Sequence, residues 1–451
     1  MNLGVIVLAA GKSTRMKTAF PKVLHRLAGK PMIEYVLEAV QSLSSLPPVI
    51  VVGYQGDEVK KAIGERAQFA FQEPQLGTAH AVLQAQPLLE GKVDAVLITY
   101  ADMPLITRQT LLNLYNLQQH NPGPLSLLTL QSENTRGFGR LLRDPNGRVQ
   151  AIVEEAVASP EQLAIHELNV GIYCVQADWL WKALPRITLS PKGEYFLTDI
   201  VELAVRDGFE VKTLTLADPA EAIGINQRVH LAEAESILRQ RINTHWMLEG
   251  VTLLDPQSTY IEAEVILGQD TVIYPNTYLL GKSVIGKGCT LGPNTIVRDS
   301  EIGAGCQIFF SVVEKAILEE DVDVGPYAHL RKGAHLAKGV HMGNFGEVKN
   351  SYLGPGTKMG HFSYIGDATI GEGVNIGAGT ITCNYDGEKK NPTEIGEGVF
   401  IGSDTMLVAP VKVGKGARTG AGAVVTKDIP PYSLAVGVPA RVIRKLKEGD
   451  G

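Results

Sequence analysis

From about residue 265 to residue 425, an aliphatic side chain returns at every sixth position. Leu267, Ile273, Leu279, Ile285, Leu291 and Val297 form one run, and Leu318, Val324, Leu330, Leu336, Met342 and Val348 form another. Ile395, Ile401, Leu407, Val413 and Val425 make a third, with Thr419 in its fifth place. A period of six fits neither an amphipathic helix nor an alternating strand. It fits a parallel β-helix, in which each hexad makes one flat side and its aliphatic residue enters the core. Three hexads close one triangular coil. Residues 18 apart are therefore expected to stack one rung apart, about 4.8 Å.

The rest of the chain is of a different kind. Its 451 residues are enough for two or three domains, on a prior of roughly 150 residues each. Hydrophobic residues make up 44% and charged residues 20%, a balance that can bury large cores. The net charge of −6 gives no electrostatic reason to expect a nucleic-acid partner. Cys174, Cys289, Cys306 and Cys383 lack CxxC spacing and read as reduced, structural thiols of a cytoplasmic protein. The apolar start, Met1 to Ala10, has no basic leader and reads as a buried first strand, not a signal peptide. No apolar stretch reaches the ~18 residues of a membrane span.

Residues 1–226 alternate β-rich and helical stretches. Strands are expected over 4–9, 49–53, 95–100, 125–130 and 170–175, and helices over 31–43, 57–66, 78–87 and 107–119. That alternation predicts an α/β domain with a mostly parallel sheet and ligands at the carboxyl ends of its strands. Residues 227–249 read as a helical linker, with Leu231, Ala234, Leu238 and Ile242 on one face. Residues 250–451 carry the hexads and a tail. The main interruption, residues 382–392, is polar and turn-rich and is expected to loop out of the coil.

Two places invite chemistry. After the first strand, Leu8, Ala9, Ala10 and Gly11 lead into Lys12-Ser13-Thr14-Arg15. Small residues there let backbone amides approach phosphates, and Arg15 and Lys22 add cations. A Walker A loop fails because Ile6 stands where it needs glycine. Gln72, Gly77 and Thr78 form a polar turn before a helix. Asp102 ends a buried strand, where a carboxylate suits either a helix cap or Mg2+, which takes one or two protein ligands plus waters and phosphate oxygens.

On the β-helix, Arg331 and Lys349 are 18 apart. Like charges on successive rungs repel unless an anion lies between them; the alternative is a solvated pair splayed apart. Glu347 and Tyr364 also sit one coil apart, because the ladder slips by one residue at Leu353. His361 follows Met359 by two, at a position that can face outward. It lies near Lys349, Tyr364 and Asn375 on the hexad map, and near the interruption bearing Asn384, Tyr385 and Lys390. A histidine near neutrality can take a proton from an amine attacking a thioester, and Glu347 could orient its ring.

The order LAAGKSTRM, FPK, QLGTAHA, YADMP, GFGR, IVEE, LNVG and GIN resembles the sugar-1-phosphate nucleotidyltransferases. With NIGAGTITCNYDG, the whole chain resembles the bacterial bifunctional N-acetylglucosamine-1-phosphate uridyltransferases and glucosamine-1-phosphate acetyltransferases. The resemblance implies a Rossmann-like nucleotidyltransferase domain and a left-handed β-helix that assembles as a homotrimer. It implies that UTP, Mg2+ and acetyl-CoA are used to make UDP-N-acetylglucosamine for the cell envelope.

By that resemblance Leu8 to Gly11, Gln72, Gly77 and Thr78 hold the uridine nucleotide, and Arg15 and Lys22 meet its triphosphate. Gly139, Glu154 and Asn169 hold the N-acetylglucosamine moiety, and Asp102 and Asn226 bind Mg2+. On the β-helix it implies His361 as general base with Glu347 in support. Arg331, Lys349, Tyr364, Asn375 and Lys390 hold glucosamine 1-phosphate, and Ala378, Asn384, Tyr385, Ser403, Ala421 and Arg441 serve acetyl-CoA. Four residues depart from the family's common pattern: Ser13, Ala101 and Val170 in the first site, and Gly437 where a basic residue is common. Arg444, Lys445 and Lys447 join Arg441 as other cations for the CoA phosphates. Two rival readings stay open here: a nucleotidyltransferase whose β-helix only oligomerises, and a non-catalytic scaffold.

Overall fold

In the computed structural model, which describes residues 1–11 and 14–447, the chain divides into two compact units. These are Met1–Leu238 and Arg239–Gly451, so the division falls inside one helix, Arg228–Leu248. Lys12 and Ser13 of the glycine turn lie outside the described residues. The predicted apolar face of the helix is used along its length. Ala234 and Leu238 are buried, and Ile242 and Trp246 pack on the β-helix core.

The first unit is built on one sheet. Leu3–Ala9 runs parallel to both Val49–Val52 and Ala95–Tyr100, and Val49–Val52 to Gln68–Phe71. The first three are almost wholly buried, as expected for parallel strands covered on both faces, while the edge strand Gln68–Phe71 buries only Ala70. The sheet is mixed, however. Glu167–Gln176 runs antiparallel to both Ala95–Tyr100 and Leu125–Gln131. It is also longer than the expected 170–175, and its register shifts between Asn169 and Tyr173. Sequence reasoning missed the four-residue strand Gln68–Phe71, the hairpin Arg140–Arg143 with Val149–Val153, and the helices Ala177–Ala183 and Asp199–Arg206.

The second unit is the parallel β-helix. Among the described residues its short strands form three sheets of 12, 10 and 9 strands, and each pairs in parallel with the one a coil later, save that the last, Arg441–Lys445, runs antiparallel to Ser433–Val436. Every aliphatic residue of the three hexad runs is buried in one continuous core. Thr419, the polar member, is buried too. Its hydroxyl accepts from Gly402 N at 2.9 Å and contacts Thr405 Oγ1 at 2.9 Å. A buried hydroxyl is tolerated there because it is hydrogen-bonded.

The coil is less uniform than a constant 18. Leu267 pairs with Ile285, 18 on, but Ile285 pairs with Ile302, 17 on, and Ile302 with Leu318, 16 on. The slip predicted at Leu353, opposite Leu336, is thus one of several. Each side keeps its core residue, and the corners lose one residue in a coil of 17 and two in a coil of 16. The interruption also begins later than expected. Thr382 stays in the strand Ile381–Cys383, opposite Leu407, so the excursion proper is residues 384–392. No helix of the described residues is long and apolar enough to cross a membrane.

Leu330 is fully buried at the middle of this column. Leu330→Ala removes core contacts from two neighbouring rungs and is expected to cost roughly 2–5 kcal/mol. Denaturant unfolding of the full chain, followed by circular dichroism, should show an earlier β-helix transition; an unmoved midpoint contradicts the packing described.

Candidate active sites

Strand ends and one bulge build the first site. Two adjoining cavities, about 540 and 320 Å3, share Thr78, Tyr100, Asp102, Glu194 and Asn226 in their walls. The larger is lined by Leu8, Ala9, Ala10, Gly11, Arg15, Lys22, Gln72 and Gly77. The smaller is lined by Gly139, Glu154 and Asn169, with Val170 and Thr198. The structure thus gathers every residue expected at the uridylyl site around one two-lobed cleft. Tyr100, Glu194, Gln75 and Thr198 also line it, and they were not foreseen. Glu194 and Thr198 carry no motif, and only folding brings their segment to the cleft.

Gln72 is buried, and its Nε2 donates to Gly77 O at 2.8 Å, so it braces the turn it precedes. Gly77 has φ +99°, and a Cβ there would meet Tyr195 O at 2.6 Å, so no other residue fits that turn. Gln75 Nε2 donates to Ala10 O and ties the same turn to the glycine loop. In the smaller lobe the register shift aims Asn169 inward, as bulges beside sites do. Its Nδ2 donates to Tyr173 Oη at 2.8 Å and its Oδ1 accepts from Gly171 N at 3.1 Å. Thr198 Oγ1 donates to Glu154 Oε1 at 3.1 Å.

Where the lobes meet, Lys22 Nζ donates to Asp102 Oδ2 at 2.5 Å and to Asn226 Oδ1 at 3.1 Å. Arg15 Nη2 reaches the same Asn226 oxygen at 3.1 Å. Ile225 N donates to Asp102 O at 2.8 Å, which brings Asn226 to the carboxylate. One carboxylate oxygen and one amide oxygen therefore converge on a single cationic atom. That donor set fits Mg2+, which completes its shell with waters and phosphate oxygens. Burial pushes the Tyr100 phenol up, with Asp102 and Glu154 adding to the effect, so it stays neutral.

The second site lies on the β-helix. Glu347 pairs with Tyr364 in register, as expected. Arg331 Nη1 donates to Glu347 Oε1 at 2.7 Å, a contact that sequence reasoning did not foresee. Lys390, from the excursion, crowds Lys349 and lowers its pKa, and Arg331 adds to that effect. Lys390 and Arg331 crowded on Lys349 are a poor stability device and a good anion site. Asn375 stands on the neighbouring face, opposite Lys358 and Phe400. The exposed corner between the two faces carries His361, which has no hydrogen-bond partner among the described residues.

The corner column is informative. The pairings of Met342 with Met359, Lys358 with Asn375, Ile376 with Ile401, Phe400 with Arg418 and Thr419 with Ala435 fix its register. Two residues beyond each core position stand Asn344, His361, Ala378, Ser403, Ala421 and Gly437. The three small residues above His361 leave a shallow track along the corner. The track ends at Gly437, in the turn of a hairpin between Ser433–Val436 and Arg441–Lys445. Arg441, Arg444 and Lys445 are exposed on that hairpin.

Both halves match known families. Residues 5–160 match the MobA-like NTP transferase domain, and residues 264–299 and 392–427 match the bacterial transferase hexapeptide (six repeats). The chain is 47% identical over 444 residues to the bifunctional protein GlmU of Heliobacterium modesticaldum, covering 98% of this chain and 96% of that protein. It is 48% identical over 435 residues to that of Trichlorobacter lovleyi, covering 96% and 95%. The chain belongs to the GlmU family of bifunctional proteins. The family match spans both units, so the cleft and the corner track are parts of one family architecture.

Asp199, which opens the helix after Thr198 in the wall of the smaller lobe, has its pKa raised to about 6 by burial and by the nearby carboxylates Glu202 and Glu154. The folded pKa exceeds the unfolded value of about 3.9. Its contribution to stability is therefore present below about pH 4 and lost as the pH rises through 6. Asp199→Asn is expected to raise the melting temperature at pH 7.5 by more than at pH 4, and a larger gain at pH 4 contradicts the assignment.

Proposed function

We propose that this chain acetylates the amine of glucosamine 1-phosphate from acetyl-CoA and then transfers uridylyl from UTP to the product, giving UDP-N-acetylglucosamine and pyrophosphate. Each unit carries its own cation-lined site, and that observation carries the reading. A nucleotidyltransferase with a purely oligomerising β-helix has no need of Arg331, Lys349 and Lys390 crowded below an exposed histidine. Residues 1–226 perform the second reaction and residues 250–451 the first, with residues 227–249 as the linker.

In the cleft, the Leu8–Gly11 backbone and the Gln72–Thr78 turn take the uridine nucleotide, and Gly139, Glu154 and Asn169 take the sugar. The sugar phosphate oxygen attacks the α-phosphate in line and pyrophosphate leaves. Arg15 and Lys22 neutralise the charge of the triphosphate, and positioning does most of the rest. Asp102 and Asn226 hold Mg2+, which supplies further charge neutralisation when bound. Lys22 then turns from Asp102 to the phosphates.

On the β-helix, Arg331, Lys349, Tyr364, Asn375 and Lys390 hold glucosamine 1-phosphate. His361 takes the proton from the amine as nitrogen attacks the thioester carbonyl. The C–N bond forms, the C–S bond breaks, and the thiolate of CoA leaves. Phosphate binding draws Arg331 from Glu347 and frees that carboxylate to support His361. Acetyl-CoA lies along Ala378, Ser403 and Ala421, with Asn384 and Tyr385 beside its acyl end and Arg441 at its phosphates.

The assembly is a homotrimer in the cytoplasm. Supporting it is a stack of aromatics up one corner. The half-buried Phe310 and the exposed Tyr327 have ring centroids 5.8 Å apart, Tyr327 and the exposed Phe345 5.3 Å apart, and Phe362 beside His361 is also exposed. A second copy is the natural cover for such a stripe. Native mass spectrometry should give three chains, and a monomer with full acetyl transfer overturns the assembly.

The test of function is a product assay with glucosamine 1-phosphate, acetyl-CoA, UTP and Mg2+, each omitted in turn. His361→Ala should lose acetyl transfer by about 100-fold or more and keep uridylyl transfer. Asp102→Ala should do the reverse. If either substitution abolishes both activities in folded protein, the two-site reading fails.

A further inference from the structure

Both ends of the excursion are held in place by a residue whose carboxylate has no part in the roles above. Asp367 stands at the corner after Ser363–Gly366, with φ +51°, a left-handed turn that aspartate tolerates. Its Oδ1 accepts from Asn350 Nδ2 at 2.6 Å, and its Oδ2 accepts from Asn384 Nδ2 at 2.6 Å. Its backbone N donates to Lys349 O at 3.2 Å, and its carbonyl accepts from Thr393 N at 3.1 Å. Asn384 opens the excursion and Thr393 follows its end. A single residue thus ties both ends of the loop to the rung that carries Lys349.

The loop closes on itself as well. Asn391 N donates to Asn384 O at 2.7 Å, Tyr385 bridges Lys390, and Asp386 accepts from the backbone of Glu388 and Lys389. It therefore follows its anchors as one piece. The buried Asn384 also has only one amide orientation open to it. Its Nδ2 is engaged by Asp367 and, at 3.5 Å, by Tyr364 Oη. That leaves Oδ1, which has no partner among the described residues, as the acceptor the loop presents.

We propose that Asp367 is a positioning residue for acetyl transfer. Its Oδ2 fixes the orientation of Asn384 at the opening of the excursion and its backbone carbonyl holds Thr393 just past the end, so that Asn384 Oδ1, Tyr385 and Lys390 meet the reactants in one geometry. This rests on the acetyl-transfer reading above.

Asp367→Asn keeps the volume and the left-handed turn but replaces one acceptor oxygen with a donor. It can no longer accept from both Asn350 and Asn384. The expected result is a KM for acetyl-CoA about tenfold higher, in line with one lost charge-assisted hydrogen bond. The KM for glucosamine 1-phosphate should stay within about twofold, and uridylyl transfer should be unchanged. Asn350→Ala removes the other arm of the clamp without touching Asn384 and should leave acetyl transfer within about twofold. In an Asn384→Ala background the cost of Asp367→Asn should vanish, as for residues acting through one contact.

An unchanged KM for acetyl-CoA in Asp367→Asn overturns the proposal. So does an equal loss in Asn350→Ala, or full additivity with Asn384→Ala. If Asp367→Asn does not fold, Asp367→Gly, which the left-handed φ favours, is read in the same way. A wild-type protein that does not acetylate glucosamine 1-phosphate overturns the functional reading instead, and the two failures are thereby distinguished.

Discussion

Parallel backbone hydrogen bonds between successive coils set everything that follows in the second unit. Each rung donates to the next through pairs such as Tyr278 N to Thr295 O at 2.9 Å and Arg331 N to Val348 O at 2.9 Å. The ladder holds side chains in columns about 4.8 Å apart. A column must then be chemically consistent with itself. Core columns are aliphatic. Most charged columns alternate sign, as in Lys338 with Glu320, Lys412 with Glu394 and Lys415 with Glu397. His335 and His341 likewise meet an acid a rung away, Glu319 at 2.9 Å and Asp323 at 2.5 Å, as hydrogen-bond partners. Such exposed pairs are each worth little, about 0–1 kcal/mol. Their value as a comparison is greater. Where Lys349 meets Lys390 instead of an acid, the rule is broken, and an anionic ligand is the physical reason to break it.

The first unit solves a different problem. Its strands end at one edge, and what they present there is mostly backbone and short side chains. Specific geometry comes from irregularities: the left-handed Gly77, the bulge at Asn169, and the contact of Lys22 with Asp102 and Asn226. The ammonium of Lys22 occupies the place where oxygen donors converge. A divalent ion taking Asp102 Oδ2 and Asn226 Oδ1 would compete with Lys22 for those oxygens, and in the proposed reaction Lys22 then turns to the phosphates.

What could be read from the residues follows the range of the forces involved. The period of six is visible because every side of every coil buries one residue, and burial imposes a pattern on the chain locally. The shortened coils at Ile302 and Leu318 are invisible because the residue lost comes from a corner, which has no hydrophobic signature. The alternation of strands and helices in residues 1–226 is likewise local. The reversed direction of Glu167–Gln176 is not, since strand polarity depends on the path taken between strands. Motif residues such as Asp102 and Gly77 stand at strand ends and turns that can be recognised. Glu194 and Thr198 reach the cleft from a segment without motif, and Arg331 holds Glu347 through rotamers that no spacing encodes.

The two sites differ in one further respect that bears on assembly. A sheet edge with flanking loops is concave, and the cleft of the first unit is enclosed by the chain itself. The corner of a triangular coil is convex. His361, Ala378, Ser403 and Ala421 stand along such a corner, and a convex edge cannot surround a substrate. The excursion, residues 384–392, leaves the next corner round, between Ile381–Cys383 and Thr393–Ile395. Further walls must come from elsewhere, and the aromatic stack ending at Phe362 lies on the same corner as His361. In the proposed trimer, a neighbouring copy that covers those rings also closes the track over His361, and the same surface serves both association and catalysis.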